Sequence, residues 1–279
     1  MRTVIISGAS SGIGWATAQR FAAGGDRVFN LDVQAPADPQ NPAVQWIETD
    51  VADWSAVRDA VTQVAETAPI DVVIANAGIS VRHGVLDLSE ADARRVIDVN
   101  LLGVLGLWQA AARVMVRQRA GVLLATASVN GARGYPLYAD YNATKAGIVA
   151  LCRTFALELS PWIRVACVSP GAVLTPMQLA EYTPAMLDEV NAKIPAGRHA
   201  SPDEIAAAFH YLASPEASFL TGQELVIDGA ETAGATTAVF GADTSERSEQ
   251  IIEADAPGGG TQGGAGRREQ GTTRSGVPA

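Results

Sequence analysis

A chain of 279 residues, 48% of them apolar, is long enough for one large hydrophobic core or two small ones. Its formal net charge of −10, with Lys145 and Lys193 its only lysines and no Lys/Arg block, excludes the basic face of a nucleic-acid binder. Cys152 and Cys167 sit in apolar surroundings and exclude a disulfide framework. The scattered His83, His199 and His210 exclude a metal-ligand spacing, and no uncharged apolar run reaches the roughly 18 residues of a membrane span.

Met1 and Arg2 lead straight into the first apolar run, where a secretory signal would need a longer stretch and a cleavage site; a cytoplasmic protein is expected. TVIISG (3–8) reads as a buried strand, and 14–25 as a helix closed by Gly24 and Gly25, which suit a left-handed end. Strands follow at 27–33 and 44–51. Between them Pro36, Pro39 and Pro42 each cost a helix about 3 kcal/mol, so a loop is expected there. Asp53 caps a helix in which Val57, Ala60, Val61 and Val64 share a face. DVVIANAG (71–78) is the fourth strand, and a long helical pattern runs from Ser89 to near Arg119. The fifth strand is 121–128, and the next helix spans Tyr138 to near Leu159. The sixth strand is 163–171. Ser201-Pro202-Asp203-Glu204 carries the cap, proline and glutamate of a helix start, that helix runs to near Ala213, and the last strand is 223–229.

Strands apolar on both faces, alternating with helices, predict an α/β fold: a doubly wound parallel sheet of seven strands with helices on both faces. Residues 1–232 form one such domain. Residues 233–279 are a glycine-rich tail whose only large aliphatics beyond residue 240 are Ile251, Ile252 and Val277, and disorder is expected.

The first strand ends in SGASSGIG. A glycine-rich turn between a strand and a helix cradles phosphate with backbone amides and the helix dipole, although glycines serve ordinary turns as well. The candidate cofactor residues here are Gly8, Ser10, Ser11, Gly12, Ile13 and Gly14. Asp32 ends the second strand about 20 residues on, where a carboxylate accepts from ribose hydroxyls and repels a 2′-phosphate; the alternative is a plain loop aspartate. Val33 and Gln34 follow it and no arginine occupies the glycine turn, so NAD is favoured over NADP.

YNATK (141–145) places Tyr141 and Lys145 on one helical face. Ser128 lies at the carboxyl end of the fifth strand, where ligands of such sheets bind. The ammonium is expected to lower the tyrosine pKa from its usual value near 10, making Tyr141 a general base towards an alcohol or a general acid towards a ketone. Ser128 would hold the substrate oxygen.

With these elements in order, the chain resembles the short-chain dehydrogenase/reductases of the small single-domain kind over residues 1–232. The matching stretches are SGASSGIG, Asp50-Val51, Asn76-Ala77-Gly78, Asn100 in DVNLLG, Ser128, YNATK and SPGAVLTP at 169–176. The resemblance implies that Asp50 bonds the adenine amine and Val51 lines its pocket. Asn76 and Gly78 would border the cofactor, with Ala77 beside its ribose. Asn100 would hold a water that links Lys145 to solvent, and Lys145 would bond the nicotinamide ribose. Pro170, Gly171, Val173 and Thr175 would position the carboxamide. Ser7 and Ala75 depart from the family's usual threonine and asparagine.

The segment 174–198 is expected to fold over the substrate as a lid, with Met177 among its apolar residues. Ser128, Asn130, Tyr138, Tyr141 and Met177 are the substrate candidates; Arg82, His83, Arg133 and Tyr135 are further ones. The reaction expected is NAD-linked hydride transfer between a secondary alcohol and its ketone, on a cyclic or partly apolar metabolite. An NADPH ketoreductase acting like a 3-oxoacyl carrier-protein reductase and a dinucleotide-sensing protein without turnover remain as alternatives. The resemblance also implies a homotetramer or homodimer built on the helices 89–119 and 138–159. No metal, nucleic acid or membrane is expected as partner.

Overall fold

Seven parallel strands line up in the order β3-β2-β1-β4-β5-β6-β7. They are β1 (Thr3–Ser7), β2 (Arg27–Asp32), β3 (Val44–Glu48), β4 (Val72–Ala75), β5 (Gly121–Thr126), β6 (Ile163–Pro170) and β7 (Gln223–Ile227). The computed structural model describes residues 1–36 and 43–234. Pro39 and Pro42 of the loop and the tail from 235 onward lie outside the described residues; β2 and β3 are flanked by loop at Val33–Pro36 and Ala43.

Alternate residues of one strand feed opposite cores, because successive strand side chains point to opposite faces. Ile5 of β1 packs with Phe29, Leu31, Leu107, Trp108 and Leu123. Its neighbours Val4 and Ile6 pack with Phe21, Val28, Ile74, Leu124 and Phe209. The first face is covered by α2 (Trp54–Thr67), α4 (Gly103–Gln118) and α5 (Ala139–Leu159), the second by α1 (Gly12–Ala23) and α8 (Pro202–Leu212). This is why the central strands read as unbroken apolar runs and the edge strands β3 and β7 do not.

The local signals act where the side chains predict. Asp53 accepts from the amides of Ser55 (2.8 Å) and Ala56 (3.2 Å). Ser201 and Glu204 form a reciprocal capping box. Gly25 takes the left-handed conformation (φ +85°), and Asp26 N–H reaches back to the carbonyl of Phe21, 3.1 Å.

Strand ends differ from the expected ones by a few residues, since pairing stops where the chain must turn to make the site: β4 ends at Ala75 and leaves 76–78 as a loop. The expected single helix 89–119 is α3 (Glu90–Ile97), a π-helical turn (Asp98–Leu102) and then α4. This run is apolar enough to satisfy the length and composition of a bilayer span, but half of its apolar window is buried inside the fold. The lid segment is two short helices, α6 (Pro176–Glu181) and α7 (Pro184–Lys193), each opened by a threonine cap and a proline.

Candidate active site

A cavity of about 670 Å³ opens beyond the carboxyl ends of β1, β2, β4 and β5. Its wall runs from Asp32, Val33 and Gln34 past Gly8, Ser10, Ser11, Gly12 and Ile13 to Tyr141, Lys145, Thr175 and Met177. Asp50, Val51, Asn76, Ala77 and Gly78 line it as well.

The glycine turn is shaped by close approach. Gly8 has φ +68°, and a Cβ there would meet the Ala77 backbone at 2.6 Å. A Cβ on Gly14 would lie 2.1 Å from the Gly8 carbonyl, so Gly14 is a packing residue behind the turn and not part of the cavity wall. Ser11, the residue before α1, does not turn its hydroxyl onto the helix amides, which stay available to an anion.

Asp32 is held before any ligand contact. Its two oxygens accept from Ser10 N–H (3.1 Å) and Gln34 N–H (3.0 Å). Ser10 is fixed in turn: its hydroxyl donates to the Gln34 carbonyl (2.5 Å) and accepts from Asn30 Nδ2 (2.9 Å). No Lys or Arg occurs between residues 33 and 47. Two cations do border the cavity from α3, Arg94 and Arg95, a contact with no local sequence signal; Arg94 is paired with Glu90 at 2.7 Å.

Asn76 stitches three strands. Its amide donates to the Gly8 carbonyl (3.0 Å) and its carbonyl accepts from Thr126 Oγ1 (2.9 Å). Ser7 Oγ accepts from the amides of Asn76 (3.0 Å) and Ala77 (3.1 Å), so the serine found here supplies a bridging hydroxyl.

Tyr141 and Lys145 leave the first turns of α5 towards the cavity. Lys145 is 3% exposed and its Nζ donates to the Thr126 carbonyl at 2.7 Å, 5.3 Å from the centre of the Tyr141 ring. The expectation that the ammonium lowers the tyrosine pKa is not met in this state. Burial dominates and pushes Tyr141 up to about 12; the Ser128 hydroxyl pulls it down in part, and the Glu181 carboxylate adds to the rise. The same burial lowers Lys145 to about 8, against a smaller opposite effect of Cys167. Desolvation penalises the charged form of each group, whichever sign it carries.

Ser128 starts a short 3₁₀ turn (Val129–Gly131) and accepts from Asn130 N–H at 3.2 Å. Asn130, expected on the substrate face, spends its side chain on position: Oδ1 accepts from Ser128 Oγ (3.2 Å) and Nδ2 donates to Asn142 Oδ1 (2.7 Å). Asn142 reaches on to the Tyr135 carbonyl, 2.9 Å. Pro170 ends β6, Gly171 and Val173 follow it, and none of the three is on the cavity wall; Thr175, which caps α6, is. Tyr138 stands beside Tyr141, ring centres 5.9 Å apart.

Asn100 is fully buried in the π-helical turn. The extra residue of that turn aims it inward. It exchanges two 2.8 Å hydrogen bonds with the backbone of Ile79. A Cβ at Gly78 would lie 3.5 Å from Asn100 Oδ1 and 3.8 Å from Lys145 Nζ, so glycine leaves a gap between these two polar atoms. Asn100 and Lys145 thus come together at Gly78 and Ile79.

A family model described as enoyl-(acyl carrier protein) reductase matches residues 8–230. The 3-oxoacyl-[acyl-carrier-protein] reductase FabG of Thermotoga maritima is 36% identical over 239 residues, 82% of this chain and 96% of that protein. The cis-4-hydroxycyclohexanecarboxylate dehydrogenase of Sinomonas cyclohexanicum is 37% identical over 242 residues, 83% of this chain and 97% of that protein. Among solved structures, ligand-free aldohexose dehydrogenase of Thermoplasma acidophilum superposes with a TM-score of 0.80 at 30% identity, covering 85% of this chain and 96% of that one. Levodione reductase gives 0.80 at 31% identity, covering 84% and 98%.

Proposed function

The chain belongs to the short-chain dehydrogenase/reductase family of oxidoreductases, which act on CH–OH and keto groups, and from that premise we propose that it is an NAD(H)-dependent dehydrogenase of ring-bearing secondary alcohols. The observation that carries the cofactor reading is Asp32, at the end of β2 on the cavity wall, whose carboxylate is held by two backbone amides and is followed by a stretch without Lys or Arg. A carboxylate so placed suits a ribose diol and opposes a 2′-phosphate.

The residues fit a dinucleotide: an uncapped helix terminus at a glycine turn, an acidic residue at one end of the cavity and a lysine–tyrosine pair at the other. Bound nicotinamide supplies acceptance or donation of hydride. The chain's own part is placement and proton exchange. Ser128 holds the substrate oxygen, and Tyr141 takes the hydroxyl proton on oxidation or returns it on reduction. Lys145, held by the Thr126 carbonyl, supports negative charge on the phenol oxygen. The gap at Gly78, bordered by Asn100 and Lys145, is where the implied water of the proton path fits. Similarity to a cyclohexanecarboxylate dehydrogenase supports a ring alcohol.

A second reading is an NADPH ketoreductase of 3-oxoacyl thioesters. It is favoured by similarity to a 3-oxoacyl-[acyl-carrier-protein] reductase and by Arg94 and Arg95 on the cavity wall. Fluorescence titration of NADH and NADPH at one salt concentration separates the two. Tighter NADH by tenfold or more is expected; tighter NADPH overturns the NAD reading and leaves Tyr141 and its partners in place. We further propose a homo-oligomer, in keeping with exposed apolar side chains such as Leu102 and Val116 along the α3–α4 run and Leu157 on α5, tested by light scattering.

A further inference from the structure

Beside Tyr141, whose ring lies 5.9 Å from that of Tyr138, five side chains from three separated segments converge. Glu181, the last residue of α6, accepts from the hydroxyl of Ser80 and from Tyr138 OH (2.8 Å). Tyr138 OH also lies 3.2 Å from Tyr182 OH. The Arg82 guanidinium lies over both rings, 5.8 Å from the centre of Tyr138 and 5.0 Å from that of Tyr182.

Arg82 is poorly used for a cation in such a place. Its one hydrogen bond among the described residues is a long one, 3.4 Å, from Nη1 to the Glu181 backbone carbonyl. Its Nε is buried without a partner. Among the described residues no carboxylate forms an ion pair with it. A guanidinium so little used keeps the planar fork of donors that suits a carboxylate. The hydroxyls beside it already hold one carboxylate, that of Glu181. Tyr138 stays a donor, since burial and its hydrogen bonds to Tyr182 and Glu181 raise its pKa far above the usual tyrosine value.

We propose that this cluster reads a carboxylate on the substrate, remote from the reacting carbon, with Arg82 as its receptor. Glu181 holds the same hydroxyls with its own carboxylate and moves out with α6 as the acid enters, because two adjacent anions repel. Glu181 therefore opposes acidic substrates in proportion to its charge, and Arg82 favours them. This inference rests on the ketone/alcohol reading of the site and adds the substrate class: ring hydroxy acids and keto acids.

The test compares cyclohexanone with 4-oxocyclohexanecarboxylate, reading the ratio of their kcat/KM values with the preferred reduced cofactor. Wild type should favour the acid by tenfold or more. R82M should lower the ratio at least tenfold, R82K should fall between, since it keeps the charge and loses the fork, and E181Q should raise the ratio. NADH affinity measured on the same preparations reports that each variant retains its folded site. Cyclohexanone reduced as well as the acid by wild type, or a ratio unmoved by R82M, overturns the inference and leaves the dehydrogenase reading standing. Neither ketone reduced by wild type overturns that reading, and this inference with it.

Discussion

Lys145 lies against Tyr141, its Nζ 5.3 Å from the ring centre, yet its hydrogen bond goes to the Thr126 carbonyl at 2.7 Å. The pair is therefore not a preformed phenolate–ammonium pair. Both groups are desolvated, and burial favours the neutral form of each, raising the Tyr141 pKa to about 12 and lowering that of Lys145 to about 8. Charge on either one is costly without a ligand.

Alcohol oxidation needs the phenol to take a proton, so its rate should rise with pH below about 8. The deprotonated fraction of a group whose pKa lies near 12 grows tenfold per pH unit there. Above about 8 the rise should flatten as Lys145 loses the charge that supports the phenolate. Ketone reduction needs the phenol protonated, as it is throughout this range, so its rate should stay flat with pH below about 8. Steady-state rates from pH 6 to 10 in both directions check this, and an oxidation rate falling from pH 6 to 8 contradicts it. Tyr141→Phe should lower kcat by about 10²–10⁴ with NADH binding retained.

Replacing Lys145 should separate stability from activity. Its folded pKa, about 8 against an ordinary 10.5, means that the fold resists its charge. Below pH 8 the residue is protonated in both states and the full penalty applies, on the order of 3 kcal/mol. As pH rises from 8 to 10.5 the native state is neutral while the unfolded chain is still charged, and the penalty fades. Lys145→Met should raise the melting temperature of the ligand-free protein by a few degrees at pH 7, the gap closing towards pH 10.5, with turnover lost. Calorimetry over that pH range measures it; a lower melting temperature for the variant at pH 7 counts against a strained lysine.

Asp32→Ala should remove the repulsion of a 2′-phosphate and a ligand of the ribose diol together. NADPH affinity should rise and NADH affinity fall, bringing the two to near-equal values, a change of roughly 1.4 kcal/mol or more in their difference. Titrations with both cofactors decide it, and an unchanged ratio means Asp32 only braces the loop through Ser10 and Gln34.

Gly78→Ala is a mild substitution by contact, its nearest atoms at 3.5 and 3.8 Å. It fills the space between Asn100 and Lys145. The variant should fold and bind NADH, with kcat lowered at least tenfold and a larger solvent isotope effect, because proton exchange through that gap is slowed. Wild-type turnover in Gly78→Ala would remove the gap from the mechanism.

Much of this was legible in the residues. Apolar runs alternating with helical period dictate a sheet covered on both faces, because Ile5 and its neighbours Val4 and Ile6 must each find a separate core. The glycine turn, Asp32 and the Tyr141–Lys145 pair are short-range patterns, and a helix or a strand end alone determines which way they face. Other features depend on chain segments far apart. The meeting of Ser80 with Glu181 spans 101 residues, and that of Asn76 with Thr126 spans 50. No local period encodes either. The π-helical turn that aims Asn100 looks in the sequence like continuous helix, since its hydrophobic pattern is unbroken. The pKa displacement of Tyr141 and Lys145 was also out of reach: spacing places the charges side by side, but only the packed fold determines how much water they lose. The sequence by itself determined the sheet, the glycine turn and the tyrosine–lysine pair on one helical face, all products of short-range geometry. The tertiary structure decided the cost of charge at that pair and the polar cluster of Ser80, Arg82, Tyr138, Glu181 and Tyr182, because desolvation and long-range convergence exist only once the layers are packed.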